Sequence, residues 1–195
     1  MTRIIRAGLL CSVVIVLIGC KDEPAPMLAN IVYTACVGQL GTCSGTGCCA
    51  NQYDRHIGEE ARLDCEIRAG STESSYRLNF SADSPNNDGS PMIVGTDLQF
   101  NSGTTQPQPL RSCGGFLISE DGNDYESDVC DNLDVRADGG GGCQLQFYID
   151  ENNVVVGAFQ CKELDLPGGP LYLSTIHQGD VGYGEVHIEN CDFRL

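Results

Sequence analysis

The stretch Ala61-Arg-Leu-Asp-Cys-Glu-Ile-Arg-Ala69 alternates strictly between apolar and charged side chains. Leu63, Cys65 and Ile67 fall on one side of this stretch, and a charged residue stands between each pair of them. Because successive side chains of an extended chain point to opposite faces, the alternation is typical of a strand with one face in a core and the other in water. The stretch therefore predicts a half-buried β-strand.

The same period of two recurs along the rest of the chain, and long helical periodicity is absent. Asp150-Glu-Asn-Asn153 predicts a hairpin turn, and only Asn51 to Ile57 is interpreted as a short helix or turn. Short strands separated by Gly-rich turns are typical of an antiparallel β-sandwich, here of about seven or eight strands. The predicted strands are Ala61–Ala69, Tyr76–Ala82, Met92–Phe100, Gly115–Ser119, Cys143–Ile149, Val154–Cys161, Leu171–His177 and Gly184–Ile188.

The composition limits the classes of function that need consideration. The 195 residues are enough for one domain of ordinary size. The chain carries 11 Lys and Arg against 27 Asp and Glu, a net charge of −16, and its cations do not cluster. A phosphate-binding surface needs a basic stripe, so the charge argues against a nucleic-acid partner.

The first twenty residues have the three parts of a secretory signal. Arg3 and Arg6 form a basic start, and the apolar run Ala7–Ile18 is shorter than the roughly 20 residues of a permanent membrane span. Leu17-Ile-Gly-Cys20 resembles the lipobox of bacterial lipoproteins. The resemblance implies removal of residues 1–19 and attachment of diacylglyceryl and palmitate-like acyl chains at Cys20. Two alternatives remain open: a secretory signal cut elsewhere, and an N-terminal anchor helix.

The resemblance to lipoproteins also implies a location and a domain division. Two or three fatty chains hold a protein at a membrane almost permanently. Lys21 stands where an Asp would favour the inner membrane in enteric bacteria, so we expect anchoring at the outer membrane, facing the periplasm or the cell surface. Residues 20–30 are interpreted as the lipidated cysteine and its tether, and residues 31–195 as the folded domain.

The cysteine count predicts a disulfide framework. The chain has 12 cysteines, of which Cys11 belongs to the signal and Cys20 to the anchor. An even number in an exported chain is typical of full pairing, here in five disulfides whose connectivity spacing does not determine. The remaining ten are Cys36, Cys43, Cys48, Cys49, Cys65, Cys113, Cys130, Cys143, Cys161 and Cys191.

The first four of these cysteines leave two alternatives open. Cys43, Cys48 and Cys49 come near the spacing of a structural zinc site, but no second close pair follows. Cys36, Cys43, Cys48 and Cys49 also resemble the opening half of an inhibitor cystine knot, without its closing half. We interpret them as a small N-terminal Cys-rich cap on the β domain.

The mature part also resembles a family of uncharacterised, cysteine-containing lipoproteins from myxobacteria and related groups. The similarity rests on the strand that bears Cys65, on Tyr125–Cys130 and Gly157–Cys161, and on the closing segment Gly184–Cys191. It covers about residues 57–195. It implies a β fold and carries no activity or site residues to this chain.

The segment from Glu120 to Asp138 concentrates acidic and amide side chains. Calcium takes six to eight oxygen ligands from such flexible loops, although the order here does not match an EF-hand. A solvated acidic loop that keeps the protein soluble is the competing interpretation. The candidate calcium ligands are Asp121, Asn123, Asp124, Glu126 and Asp128.

No pattern in the sequence indicates catalysis. The chain lacks a Gly-x-Ser-x-Gly elbow, and its cysteines have predicted partners or a lipid. If Leu171–His177 and Gly184–Ile188 form a hairpin, His177 and His187 share its outer face, but two histidines without a third ligand do not make a zinc site. His56 is the third histidine.

The sequence thus predicts a non-catalytic, lipid-anchored binding or structural module of the cell envelope, with a protein or glycan partner at the cell surface and no cofactor apart from the calcium considered above. The strong negative charge favours partners with basic patches. The alternatives are a calcium-assisted carbohydrate-binding or adhesion module and, behind it, an envelope hydrolase or protease inhibitor.

Overall fold

A computed structural model of the chain confirms the disulfide-rich β-sandwich. It describes residues 25–37, 51–58, 60–72, 74–85, 91–120, 122–131, 142–164, 171–173, 175–177, 180–182 and 184–194. In these ranges the regular structure is entirely β. The strands are β1 (Leu28–Val37), β2 (Asn51–Ile57), β3 (Arg62–Ala69), β4 (Ser75–Asp83), β5 (Met92–Asn101), β6 (Gln108–Pro109), β7 (Gly115–Glu120), β8 (Asn123–Ser127), β9 (Gly142–Ile149), β10 (Val155–Leu164), β11 (Leu171–Leu173), β12 (Thr175–His177), β13 (Asp180–Gly182), β14 (Gly184–Glu189) and β15 (Asp192–Arg194).

Two elements differ from the sequence predictions at the N-terminal side. Asn51–Ile57, interpreted above as a short helix or turn, is strand β2 and pairs with β1 along seven residues. The helical spacing of Tyr53 and Ile57 was misleading, because pairing with a neighbouring strand overrides a weak local preference. Strand β1 begins at Leu28, inside the segment 20–30 that the sequence interpretation gave to the tether.

The first sheet has the order β2, β1, β14, β10, β9, β6, with every pair antiparallel. Strands β11 and β14 both pair with β1 and with β10, and they lie end to end in one strand position. Along β1, Val32 pairs with Glu185 of β14 and Ala35 pairs with Leu173 of β11. Strands β12 and β13 form a ribbon inserted between these two half-strands.

The last predicted strands are confirmed as β structure: Leu171–His177 contains β11 and β12, and Gly184–Ile188 belongs to β14. The hairpin considered above as a condition does not form, because β12 pairs with β13, and β11 and β14 occupy one strand position. Alternation along the chain identifies strands but does not say which strand is the neighbour.

The second sheet has the order β15, β3, β4, β5, β7, β8. Its pairs are antiparallel except that the C-terminal strand β15 runs parallel to β3. The predicted inward faces are confirmed on both sheets, since Ile67, Leu78 and Ala82 of the second sheet and Leu145 and Phe159 of the first are fully buried.

The strands of the two sheets cross at a steep angle. On β7, Phe116 stacks against Phe159 of β10 with ring centroids 5.4 Å apart. Four residues further on, Glu120 contacts Tyr33 of β1 and Arg55 of β2. The contacts of β7 move within five residues from β10 to β1 and β2, which lie two and three positions further along the first sheet. The packing therefore resembles the orthogonal rather than the aligned class of sandwich.

Local chemistry supports the turn and the core. Asp150 Oδ1 accepts hydrogen bonds from the backbone N–H groups of Asn152 and Val154, both at 2.8 Å, which confirms the predicted turn. The bond from Val154 is the main reason that the pKa of Asp150 lies below its usual value.

In the core, a methyl group at Gly157 would collide with the ring of Phe147 on the neighbouring strand, so only glycine fits there.

Candidate functional site

Three disulfides join six of the ten cysteines for which pairing was predicted: Cys65–Cys191, Cys113–Cys130 and Cys143–Cys161. Cys20, Cys43, Cys48 and Cys49 lie outside the described residues, as does the side chain of Cys36, so the N-terminal cap and the lipidation site stay predictions.

Two of the three disulfides connect different kinds of elements. Cys143 and Cys161 face each other on neighbouring strands, with Cα atoms 4.0 Å apart. Cys65 and Cys191 are 126 residues apart and tie the C-terminal strand to β3. In the chain-entropy model, closing a loop of that length stabilises the fold by about 4–5 kcal/mol. Disulfides of this kind form and persist in oxidising environments.

The predicted calcium ligands lie on a β-hairpin rather than on a coiled loop. Asn123, Asp124 and Glu126 belong to β8, an edge strand of the second sheet, and Asp128 follows its last residue. Asp124, Glu126 and Asp128 are exposed and two residues apart, so they share the face opposite the buried Tyr125. Asn123 is exposed too but belongs to the other face by this alternation. Asp121 lies outside the described residues.

The hairpin does not gather these side chains around one point. The Ser119 hydroxyl donates a hydrogen bond to Asp124 across the hairpin. Within the part of the chain that the structure describes, no three His, Cys, Asp or Glu side chains are close enough to hold a metal ion. Calcium binding at Asp121, Asn123, Asp124, Glu126 and Asp128 stays a prediction.

Glu120, the first residue of the acidic segment, has a different environment from the rest. Its side chain is 1% exposed and lies between the two sheets. The Tyr33 hydroxyl donates to its Oε1 at 2.6 Å, and Arg55 Nε donates to its Oε2 at 2.8 Å. Arg55 is also almost buried, at 9% exposure. The three residues form an inter-sheet cluster that links β7 to β1 and β2.

The inter-sheet cluster shifts the acidity of its tyrosine. Burial raises the pKa of Tyr33 far above its ordinary value, and the negative charge of Glu120 raises it further, while Arg55 opposes the shift. The hydroxyl therefore stays protonated and remains a donor to the carboxylate at all ordinary pH values. Since one cation and one anion face each other, the cluster is electrically balanced inside the sandwich.

The sequence held a signal for the position of Glu120 that the acidic interpretation overlooked. Phe116 and Ile118 are buried on β7, and Glu120 continues the same alternation. A period of two carried one residue past the predicted strand end would have placed this carboxylate in the core. The sequence gave no comparable signal for its partners Tyr33 and Arg55, because these lie 87 and 65 residues away.

A cleft of about 460 Å³ lies on the outer face of the first sheet, at the end where β1 begins. His56 and His187 line it from β2 and β14, on either side of Asn30 of β1. The His56 ring nitrogen Nε2 is 2.8 Å from Asn30 Oδ1, and His187 Nε2 is 3.5 Å from Glu189 Oε1. The structure thus brings His187 near His56, which the sequence analysis did not pair with it.

A second cleft, of about 470 Å³, crosses the outer face of the second sheet. Four of its five charged lining residues are paired with one another: Arg68 binds Glu66 at 2.7 Å, and Arg194 binds Glu66 at 2.9 Å and Asp192 at 2.8 Å. The fifth is Asp64. The bond to Asp192 is the main cause that raises the pKa of Arg194. Glu120 lines neither of these two clefts.

Comparisons with known proteins give no assignment: no family model, no curated protein and no solved structure matches this chain. Among the residues that the structure describes, no helix has the length and apolar character needed to cross a membrane.

Proposed function

We propose that this chain is a lipid-anchored, non-catalytic binding or structural module of the bacterial cell envelope, attached to the outer membrane through Cys20. The observation that carries the proposal is the set of three disulfides within an all-β sandwich. Such bonds persist in oxidising compartments outside the cytosol. They agree with the lipobox at Leu17–Cys20, which would direct the chain there.

The distribution of carboxylates supports a non-catalytic role. A hydrolase that uses carboxylates needs one that is buried and reaches a cleft where substrate binds. The most buried carboxylate, Glu120, is held by Tyr33 and Arg55 and lines neither described cleft. Of the three carboxylates that line the second cleft, Glu66 and Asp192 are engaged by Arg68 and Arg194, and Asp64 is exposed rather than buried. Partners are proposed to be proteins or glycans that meet the acidic surface.

Lipidation is tested by expressing the full chain in a bacterium that processes lipoproteins and measuring the intact mass. We expect loss of residues 1–19, addition of a diacylglyceryl group and an acyl chain at Cys20, and recovery in the outer-membrane fraction. Cys20→Ala should abolish both the added mass and the membrane fractionation. The matched control Cys11→Ala removes a thiol of the signal and should change neither. Processing that does not depend on Cys20 would contradict the proposal.

Binding through the acidic surface is tested by salt. The lipidated protein is immobilised in vesicles, and envelope proteins are captured at about 0.05 M and about 0.5 M NaCl, which differ in screening length. Bound proteins that carry basic patches should be released at the higher salt. Capture that is unaffected by ionic strength would contradict a partner recognised by charge.

A calcium-assisted carbohydrate-binding module is the second candidate. The feature that favours it is the row of exposed carboxylates Asp124, Glu126 and Asp128 on one face of an edge strand. The test is binding to a glycan array with Ca²⁺ and again after a chelator is added. Glycan binding that disappears with the chelator would favour this candidate, and glycan binding that survives would remove the role of calcium.

A further inference from the structure

The length of chain between the anchor and the fold is short. Cys20 and Pro26 are six residues apart, and a fully extended chain spans at most about 3.6 Å per residue. Whatever conformation this segment adopts, Pro26 therefore lies within about 22 Å of the lipidated residue. This limit restricts how the domain can stand on a membrane.

The tether joins the sandwich at one definite end. Asn190 donates a hydrogen bond from Nδ2 to the carbonyl oxygen of Pro26 at 2.7 Å, which fixes the start of the fold beside the corner between β14 and β15. Leu28 pairs with Glu189 at this level. The Asp150–Asn153 turn lies here too, since the following Val155 pairs with Ile188, the partner of Ala29. We call this the near end.

The opposite end of the first sheet is defined by a row of paired residues. Ala35 pairs with Leu173, Leu173 with Cys161, and Cys161 with Cys143. The segment after β8 lies at this level, because Val129 accepts a hydrogen bond from the Cys143 amide at 2.8 Å. The Cys113–Cys130 disulfide and the neighbouring Ser112 lie there as well. We call this the far end.

The two ends are further apart than the tether can reach. Nine residues of extended chain separate Pro26 from Ala35, which corresponds to about 30 Å at 3.3 Å per residue. If the far end rested on the bilayer, Pro26 would stand about 30 Å above it, whereas the tether allows at most about 22 Å. An inverted arrangement is therefore excluded for a chain anchored at Cys20.

From this geometry, and resting on the lipid anchor proposed above, we propose that the near end faces the bilayer and that the far end, with the acidic edge strand β8, is held away from it. Glu151 is exposed in the near-end turn. Because like charges repel across roughly one screening length, about 8–10 Å, this carboxylate holds the turn above an anionic membrane rather than in it. In this orientation the far end is the part of the domain that lies furthest from the membrane and is accessible to a partner.

The chain contains no Trp, so single tryptophans report position without background from others. Asn152→Trp places the reporter in the near-end turn, and Ser112→Trp places it at the far end; both residues are exposed and uncharged. Each full-length, lipidated variant is reconstituted in vesicles that carry a dansyl acceptor on the lipid headgroups. Energy transfer from Trp to dansyl is measured with zwitterionic and with anionic lipid.

We expect energy transfer to be at least about twofold higher for Asn152→Trp than for Ser112→Trp, because transfer falls steeply with distance and the two sites are about 25 Å apart along β9. Equal transfer, or higher transfer from Ser112→Trp, would overturn the proposed orientation. Glu151→Trp and Glu126→Trp form a second pair, matched in lost charge, which guards against misfolding of either first variant.

Sedimentation with the vesicles and the intact mass separate the two proposals. A protein that carries the lipid and sediments, yet gives equal transfer from both sites, contradicts the orientation alone. A protein without lipid mass that stays in the supernatant contradicts the anchor and, with it, the orientation. Cys20→Ala in each Trp background provides the unanchored reference and should show no transfer.

Discussion

Glu120 and Glu126 are six residues apart in one acidic segment, yet their environments are opposite. Glu120 is buried between the sheets and bound by Tyr33 and Arg55. Glu126 is exposed on the outer face of edge strand β8. The comparison teaches that a run of acids is not one feature, because the pleat of the strand sends some carboxylates inward and others outward.

The same comparison separates two kinds of electrostatics. A buried carboxylate must be paired, since an unpaired charge in the core costs several kcal/mol. An exposed carboxylate remains hydrated and contributes little to stability, although it adds to the negative field that partners and lipids meet. The inter-sheet cluster therefore bears on the stability of the fold, whereas the β8 face bears on the charge of the surface.

The largest effect is expected from Glu120→Ala. The substitution removes the buried carboxylate that Arg55 and Tyr33 bind and leaves a cavity between the sheets, so it should lower the free energy of unfolding by about 3–5 kcal/mol. Urea unfolding of the oxidised protein measures this loss. The control Glu126→Ala should change stability by no more than about 0.5 kcal/mol. Similar losses of unfolding free energy for the two variants would contradict the distinction between the buried Glu120 and the exposed Glu126.

A smaller loss is expected from Tyr33→Phe. This change removes one charge-assisted hydrogen bond but keeps the Arg55–Glu120 pair, so we expect a loss of about 1.5–3 kcal/mol in the same measurement. Tyr148→Phe, on the outer face of β9, is the control and should be nearly neutral. If Tyr33→Phe is also neutral, the hydroxyl does not stabilise Glu120.

Stability at alkaline pH should depend on Tyr33. Its pKa in the fold lies above the ordinary value of 10.0, so the unfolded chain loses this proton above pH 10 while the folded chain retains it. The contribution of the protonated Tyr33 hydroxyl to the free energy of unfolding is complete below pH 10. Above that pH it falls by about 1.4 kcal/mol per pH unit. Urea unfolding between pH 9 and 11 should show this slope in the native protein, and Tyr33→Phe should lack that component. Equal slopes would contradict the shifted pKa.

The smallest effect concerns calcium at β8. If the candidate ligands bind Ca²⁺ weakly, a concentration equal to Kd stabilises the fold by only about 0.4 kcal/mol. Thermal melting with added CaCl₂ should show a small rise in Tm that is absent in Asp124→Asn/Glu126→Gln. MgCl₂ at the same ionic strength controls for screening. The absence of any shift across the titration would remove the calcium hypothesis.

Local patterns predicted much of the sandwich. Alternation identified the inward residues of β3, β4, β9 and β10, and Asp150–Asn153 identified a turn, because both depend on neighbours close in sequence. The interpretation of Asn51–Ile57 as a short helix or turn was wrong, because its strand conformation depends on pairing with β1. Leu171–His177 is β structure as predicted, but its strand partners could not be read from the sequence. The same distinction applies to the candidate site. The sequence singled out the exposed acidic residues of β8, but it did not identify the inter-sheet cluster.

The sequence by itself determined which side chains avoid water, that cysteines remain for pairing, and that the chain is strongly acidic. These properties are written in composition and in a period of two. Only the tertiary structure decided that Glu120 contacts Tyr33 and Arg55, that Cys65 pairs with Cys191, and that the segment after the acidic edge strand lies opposite the end of the first sheet where β1 begins. The physical reason is that alternation along a strand fixes the face of the sheet on which each side chain lies. The way the two sheets cross fixes which side chains of the other sheet that face contacts.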